Sequence, residues 1–363
     1  LYDETKQFIH IEAGDTFDEI KKYARNGYFE KLIKEYLLDN NHKSIISLVP
    51  EYGLEKEKEQ KEADKLAEYK STLTNDELEE LVKKTKELKE YQDTPSSQED
   101  LEKIPMLELS DIKREPAKDY NDVKSVDGIK IVHHNIFTNK IAYINMSFDT
   151  KCVPDELIPY MGLLGSTLSL MDTKNYTYPE LTNEININCG GLATGTALYS
   201  DKVDFSKNTI VYEVKSKALY EKVPFVLGMM EEIMYNTRFD DYKRLKEIIA
   251  RIKSRLEASL MGQGQSIAML ECCAQFSESA YYSDILRGYK YYEFIKKLDE
   301  EFEQNKTQIV DKLNKLVGYI FNKDNVIVSL TADDEGYDCF VKALSAKSCN
   351  IKDEYYNTAV RSF

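Results

Sequence analysis

The sequence predicts an α/β (α+β) fold in which an antiparallel or mixed sheet has helices packed on one side. Residues 126–350 contain strand-like segments, then long helical patterns, then a returning strand-like segment, NVIVSLTA. Within KIAYINMSFDT, an apolar set alternates with a more polar one, so the apolar set should face a core. This apolar set is Ala142, Ile144, Met146 and Phe148. A charged helical hairpin is expected to precede this domain.

Composition limits the classes of function. The chain has 363 residues, of which 42% are hydrophobic, so it can build a real core. A formal net charge of -15 argues against nucleic acid as a partner. No apolar run approaches the ~20 residues that span a bilayer, and LYDETKQFIH lacks the pattern of a signal peptide. We therefore expect a cytoplasmic protein without a membrane partner.

Residues 1–50 combine a helical pattern with a strand-like one. In ARNGYFEKLIKEYLLDN the apolar residues recur at helical spacing, and HKSIISLVP, at 42–50, is typical of a strand that ends at a proline. A helix that leads into a strand is half of an α/β unit. Because the sequence also begins with Leu1 rather than Met, we expect these residues to be the C-terminal end of a preceding α/β domain in a longer protein.

Residues 51–105 are expected to form the helical hairpin. Of residues 53–92, 21 of 40 are charged and none is proline. The spacing of Thr74 and Glu77 predicts a capping box and a second helix from about residue 75. The alternative is a solvated charged coil. Residues 106–125, with few apolar pairs, are predicted to be an extended connector.

Residues 126–350 should then form the main α/β domain, and 351–363 the start of a connection to a following domain. Two strands are expected first, then a helix over 159–171, a short helix and a strand pair, and finally long helices, a last strand and a last helix. The segments after the first helix are PELTNEININ, GGLATGTALYSD, NTIVYEVKS, SKALYEKVPFVLGMMEEIMYN, DYKRLKEIIARIKSRLEASLMG, SIAMLECCAQFSESAYY, NVIVSLTA and YDCFVKALSA.

Catalytic motifs are scarce. The four histidines show no HxxEH, HxxxH or HxH spacing, and there is no GxSxG. His133 and His134 are adjacent in a predicted strand, so they should point to opposite faces, one packed and one exposed, and not share a metal. GQGQS, at 262–266, lacks the lysine of a phosphate loop and predicts a helix break.

The cysteines and the paired acidic residues are expected to have structural rather than catalytic roles. The six cysteines have no CxxC spacing and are expected to be buried free thiols. Cys189, beside Gly190 and Gly191, could be a nucleophile, but no His or Lys lies nearby in sequence to lower its pKa. The pairs Glu231–Glu232 and Asp240–Asp241 are expected to lie solvated at helix surfaces or helix starts.

The order of several segments resembles a known family. YFEKLIKEYLLDNNHKSIISLVPEYGLEKE, a charged helical pair, EDLEKIPMLELSDI, and then NYTYPELTNEININCGGLATGTALYS look like the presequence-protease branch of the insulinase-type (pitrilysin-like) zinc metallopeptidases. In that family, four related α/β domains close around a chamber, and a helical hairpin joins the two halves. The resemblance implies that this chain is the middle region, without the catalytic domain that carries HxxEH.

The resemblance also places a degenerate active site in the chain. Alignment on KNYTYPELTNEI puts LLGST, at 163–167, where an active domain has HxxEH, with Leu163 at the first His, Ser166 at the Glu and Thr167 at the second His. Leu has no donor atom, and neutral hydroxyls are poor zinc ligands and poor bases. No catalytic residue, cofactor or metal is therefore expected in this chain; zinc belongs to the parent enzyme.

These implications give the expected function. The chain should be a noncatalytic segment, forming chamber wall and hinge, of a zinc metalloendopeptidase that degrades short unstructured peptides. Its partners would be the catalytic N-terminal half of the same polypeptide and the peptide substrates, with basic peptides favoured by the acidic surface. The alternative is a self-sufficient protein-binding or scaffold module of the same fold without peptidase activity.

Overall fold

The fold is taken from a computed structural model that describes residue 8 and residues 13–115, 120–204, 207–346 and 351–352. These residues fall into two compact units, one ending at Lys113 and the other beginning at Arg114. The described part of the first unit is helical or irregular, and the second contains a six-stranded sheet.

The described helices of the first unit bury none of their residues. Their bounds are Gly14–Arg25 (α1), Tyr28–Ile33 (α2), Leu54–Thr72 (α3), Asn75–Asp93 (α4) and Gln98–Glu102 (α5); a π-helical turn, Lys34–Leu38, follows α2, and a 3-10 turn covers Leu109–Asp111. The two charged helices predicted from the sequence are thus present as α3 and α4, so the charged-coil alternative is wrong. Their packing as a hairpin stays a prediction.

A capping box starts α4. The backbone N–H of Glu77 donates to the Thr74 hydroxyl at 3.3 Å, and the backbone N–H of Thr74 donates to a Glu77 carboxylate oxygen at 2.8 Å. Each bond satisfies a backbone donor that the first turn of a helix leaves free. The predicted start of this helix is confirmed.

The strand predicted at 42–50 is wrong. Residues 40–51 form neither helix nor strand, and Ile45 and Leu48 are 95% and 94% exposed. A strand needs a neighbouring strand to accept its backbone hydrogen bonds, and the described residues of the first unit offer none. Apolar alternation alone cannot supply that neighbour.

The second unit is organised around an open mixed sheet, as predicted. Its strands are Asp122–Val126 (β1), Ile129–Asn135 (β2), Ile141–Asp149 (β3), Leu192–Ser200 (β4), Asn208–Leu219 (β5) and Val326–Ala332 (β6). Their order is β1-β2-β6-β3-β5-β4, and only the β2–β6 pair is parallel. β1 was not predicted; it overlaps the end of the expected connector and pairs with β2 through a turn at Asp127 and Gly128, both of which have positive φ.

Nine helices follow in the described part of this unit. Their bounds are Ile158–Thr167 (α6), Tyr178–Asn188 (α7), Val223–Asn236 (α8), Tyr242–Gly262 (α9), Gly264–Cys273 (α10), Glu278–Arg287 (α11), Tyr289–Glu300 (α12), Phe302–Ile320 (α13) and Asp334–Ser345 (α14), with 3-10 turns at Asp155–Leu157, Tyr220–Lys222 and Lys323–Asn325. The helix break predicted at GQGQS is confirmed between α9 and α10.

Two helix predictions need correction, and two helices were not predicted. The helix expected from residue 216 begins at Val223, because β5 continues to Leu219 in register with β3. The helix expected over 266–282 is broken after Cys273, where the Ser277 hydroxyl accepts from the backbone N–H of Ala280 and starts α11. No prediction covered α12 and α13.

The core lies between one face of the sheet and the helices. Ala142, Ile144, Met146 and Phe148 are all at most 2% exposed, which confirms the alternation predicted for β3. The other face carries the intervening residues, including Tyr143, which is 44% exposed. Helices therefore cover one side of the sheet, and α6 belongs to that layer.

Glu232 lies in the core and is not solvated as predicted. It is only 6% exposed, and its carboxylate accepts from the backbone N–H of Asn175 at 2.9 Å and from the amides of Asn175 and Asn236 at 2.8 and 2.7 Å. These bonds fix the turn between α6 and α7 to α8. Asp241, in contrast, is exposed and caps α9 by accepting from the backbone N–H of Arg244, as expected for a helix start.

The environment of Glu232 favours its charged form. Burial alone would raise the pKa of this carboxyl, but the Thr173 hydroxyl and the amides of Asn236 and Asn175 outweigh burial and hold the pKa below its ordinary value. A lowered pKa in the folded state stabilises the fold above the unfolded-state pKa, and this stabilisation is lost as the pH falls through the folded-state pKa.

Glu232→Gln should lower the free energy of unfolding by about 1–3 kcal/mol at pH 7, because the amide places an N–H group against donors inside the core. Urea denaturation measures this, with the exposed Glu221→Gln as a control that should stay within about 0.5 kcal/mol of the wild type. The difference between wild type and Glu232→Gln should shrink as the pH is lowered below about 4.5. A difference that is absent at pH 7, or that grows in acid, would contradict this role.

Candidate functional site

The three residues aligned with a zinc motif do not form a site together. Leu163 and Thr167, one helical turn apart on α6, are fully buried in the core, and the Thr167 hydroxyl donates to the Leu164 carbonyl at 3.0 Å. Ser166 is half-buried and lines a cavity beside α6. Two of the three positions therefore serve packing, and the third offers a neutral hydroxyl.

Two glycines let α6 approach its neighbours closely. A Cβ at Gly165 would lie 3.3 Å from the Gly195 Cα of β4, and a Cβ at Gly162 would lie 2.8 Å from the Tyr291 ring of α12. The Thr194 hydroxyl, from β4, donates to the Gly165 carbonyl at 3.1 Å. The helix is thus closely packed against the sheet at Gly165 and against α12 at Gly162.

Two tyrosine hydroxyls, those of Tyr212 and Tyr291, lie buried near these glycines. Burial raises the pKa of both phenols, and the nearby Thr194 side chain offsets only part of the rise in the pKa of Tyr212. The Tyr291 hydroxyl has no hydrogen-bond partner among the described residues. Both phenols are thus neutral and poorly suited to act as bases near pH 7.

The cavity beside α6 has a volume of about 520 Å³. Residues of α6, β4, α9, α11 and α12 line it, and the charged ones are Arg251, Arg255 and Arg287. The lining includes no His, Cys, Asp or Glu. This cavity therefore lacks a general base and the usual zinc ligands, and its charge suits anions. Sequence reasoning missed the arginines because they lie on two helices and form no local motif.

The two adjacent histidines point to opposite faces of the sheet, as predicted. His133 is fully buried, with its Nδ1 3.0 Å from the Lys124 Nζ and its Nε2 3.0 Å from the Ala332 carbonyl oxygen. His134 is half-buried rather than exposed; its ring nitrogens lie 2.8 Å from the Tyr120 carbonyl oxygen and 3.1 Å from the Ser329 hydroxyl. All four ring nitrogens have polar partners in the protein, so the two imidazole rings stabilise contacts within and beside the sheet.

The described cysteines are free thiols, but only Cys152 is buried. Cys189, Cys273 and Cys339 are half-buried. Cys272 is exposed, because α10 buries none of its residues. Cys349 lies outside the described residues. The Cys189 thiol donates to the Ile185 carbonyl at 3.1 Å, a bond back into its own helix turn. Nothing in these contacts activates it as a nucleophile.

A metal-binding cluster and a membrane-spanning helix are both absent from the described residues. No group of three or more His, Cys, Asp or Glu side chains could hold a metal ion in the part of the chain that the structure describes. Among the same residues, none of the helices has the length and apolar character needed to cross a membrane.

Comparison with known proteins identifies a family and several relatives. The model of the family described as associated with peptidase M16, subfamily C, matches residues 48–298. "Protein HypA" of Clostridium perfringens is 36% identical over 362 residues, which cover 98% of this chain and 37% of that protein. "Presequence protease 1, chloroplastic/mitochondrial" of Arabidopsis thaliana is 28% identical, covering 86% of this chain and 29% of that protein.

A third relative, "Presequence protease, mitochondrial" of Drosophila melanogaster, is 25% identical over 82% of this chain and 28% of its own length. The chain thus spans less than two fifths of each of these three relatives.

Gly162→Ala should lower the free energy of unfolding by about 1–3 kcal/mol, because the added methyl group would overlap the buried Tyr291 ring. This loss should outweigh the gain of about 1 kcal/mol that Ala has over Gly in a helix. Gly264→Ala is the matched control, since a Cβ there meets no atom within 4 Å. If urea denaturation showed Gly162→Ala to be as stable as the control, the close packing of α6 would be refuted.

Proposed function

Because this chain belongs to the family of domains associated with subfamily C of the M16 peptidases, we propose that it is a noncatalytic segment of a longer zinc metalloendopeptidase of the presequence-protease type. The observation that carries the proposal is the set of residues that α6 contains. No His, Asp or Glu lies between Leu157 and Met171, and the aligned residues are Leu163, Ser166 and Thr167. Two of these side chains are buried away from any substrate.

Zinc does not fit the residues of this helix. Leu163 has no donor atom, and the Thr167 hydroxyl is already engaged with the Leu164 carbonyl. Of the three aligned residues only Ser166 lines the cavity, as a neutral hydroxyl that donates to the Gly162 carbonyl at 3.5 Å. The zinc of the parent enzyme would therefore be held by residues outside this chain, and no step of the reaction passes through α6.

Within the parent enzyme, we assign the segments the roles that the family resemblance implies. Residues 1–50 would end a preceding domain, and 51–105 would join the two halves as a hinge. Residues 106–125 would connect this hinge to an inactive domain at 126–350, whose sheet also includes β1. The exposed, charged faces of α3 and α4 support a solvated linker. The well-packed sheet and helices of the second unit support its role as a rigid wall of the chamber.

The proposed partners are the catalytic half of the same polypeptide and short unstructured peptides as substrates. Support comes from the names of the relatives, two of which are presequence proteases. We also propose a cytoplasmic location for this chain. The two presequence proteases, in contrast, are named for chloroplasts and mitochondria.

The test uses the full-length protein from which this chain comes and a fluorogenic peptide substrate. Ser166→Ala should leave kcat/KM within about twofold of the wild type, because Ser166 takes no part in bond cleavage. Replacing the Glu of an upstream HxxEH by Gln should reduce kcat by about a hundredfold or more, since that Glu would be the general base.

Two results would sink the proposal. One is chelator-sensitive cleavage of the peptide by the 363-residue chain alone. The other is a full-length reading frame without HxxEH, which would instead favour a scaffold or binding module with no peptidase activity.

A further inference from the structure

The cavity beside α6 concentrates positive charge in an acidic chain. The sequence carries a formal net charge of -15, yet Arg251, Arg255 and Arg287 line this one cavity. They are three of only eight arginines; the others are Arg25, Arg114, Arg238, Arg244 and Arg361. Local charge at this cavity is therefore opposite to that of the chain as a whole.

The arginines have no carboxylate partners among the described residues. Arg251 and Arg255 make no hydrogen bond or ion pair with any described residue, and among these residues the one hydrogen bond of Arg287 goes to the Ser283 hydroxyl, at 3.4 Å. Arg251 and Arg255 are also four residues apart on α9, a spacing at which like charges repel and destabilise a helix. An anion between them would relieve this repulsion.

Hydroxyl groups complete the lining. Ser169 of the turn after α6 and Thr196 of β4 are half-buried, and neither side chain makes a hydrogen bond with a described residue. The Tyr291 hydroxyl is buried without a partner among the described residues, in a side chain that is only 4% exposed, and the charge of Arg255 acts on it. A buried hydroxyl without a partner is costly, so a ligand that accepts its hydrogen bond would be stabilised.

We infer that this cavity binds a small polyvalent oxyanion, with the forked guanidinium groups of Arg251 and Arg255 and the hydroxyl of Tyr291 as its donors. Phosphate and carboxylate groups both match the planar fork of an arginine, which donates two parallel hydrogen bonds. The inference rests on the cavity alone and holds whether or not the parent protein is a peptidase.

Isothermal titration calorimetry tests whether the cavity binds an oxyanion. The 363-residue chain is titrated with inorganic pyrophosphate and with citrate at constant ionic strength. Arg251→Gln/Arg255→Gln should weaken binding at least about tenfold, because it removes the charged donors. Arg238→Gln/Lys243→Gln is matched in charge, and it alters exposed residues outside the cavity lining. This control should bind within about twofold of the wild type.

Tyr291→Phe separates ligand binding from stability. It removes a hydroxyl that has no partner in the described structure, so the thermal midpoint should not fall, while affinity should drop about threefold or more. Tighter binding of pyrophosphate would assign phosphate chemistry, and tighter binding of citrate would assign carboxylate chemistry. Absence of saturable binding of both probes up to about 10 mM, or equal losses in the two double variants, would overturn the inference.

Discussion

The close approach of α6 to β4 is the constraint on which the second unit depends. At Gly165 the helix backbone comes so near to Gly195 that an added methyl group would lie 3.3 Å from its Cα, and the Thr194 hydroxyl holds the Gly165 carbonyl from the strand side. Leu163, Leu164 and Leu168 then fill the layer between helix and sheet. A helix in this position has its buried side committed to packing, so it cannot also present two zinc ligands and a base from that side.

The same packing explains which polar side chains lie beside α6. Beside its contact with the sheet, α6 borders a cavity whose other walls come from β4, α9, α11 and α12, and the charges there are arginines. A catalytic metal site needs carboxylates and imidazoles that converge, whereas this cavity presents only cations and hydroxyls. The absence of His, Asp and Glu from α6 and the arginines of the proposed anion site therefore belong to the same arrangement of helices.

Sequence patterns predicted the parts of the fold that depend on local periodicity. The alternation in β3, the capping box at Thr74 and the glycine break at 262–266 each follow from neighbouring residues, and all three are confirmed. The strand predicted at 42–50 failed because a strand depends on a partner that local sequence does not specify. The prediction that Glu232 is solvated failed because its partner Asn175 lies 57 residues away in the sequence. The arginine cavity joins Arg251 to Arg287 across two helices, so only the tertiary structure brings them together.

The central claim is that α6 is a packed helix at a position that has lost its zinc ligands, so that any zinc chemistry belongs to another domain. Native mass spectrometry of the 363-residue chain, after incubation with excess zinc and exchange into metal-free buffer, tests this most directly. The account predicts a spectrum dominated by the zinc-free mass. One zinc ion retained per chain would contradict it.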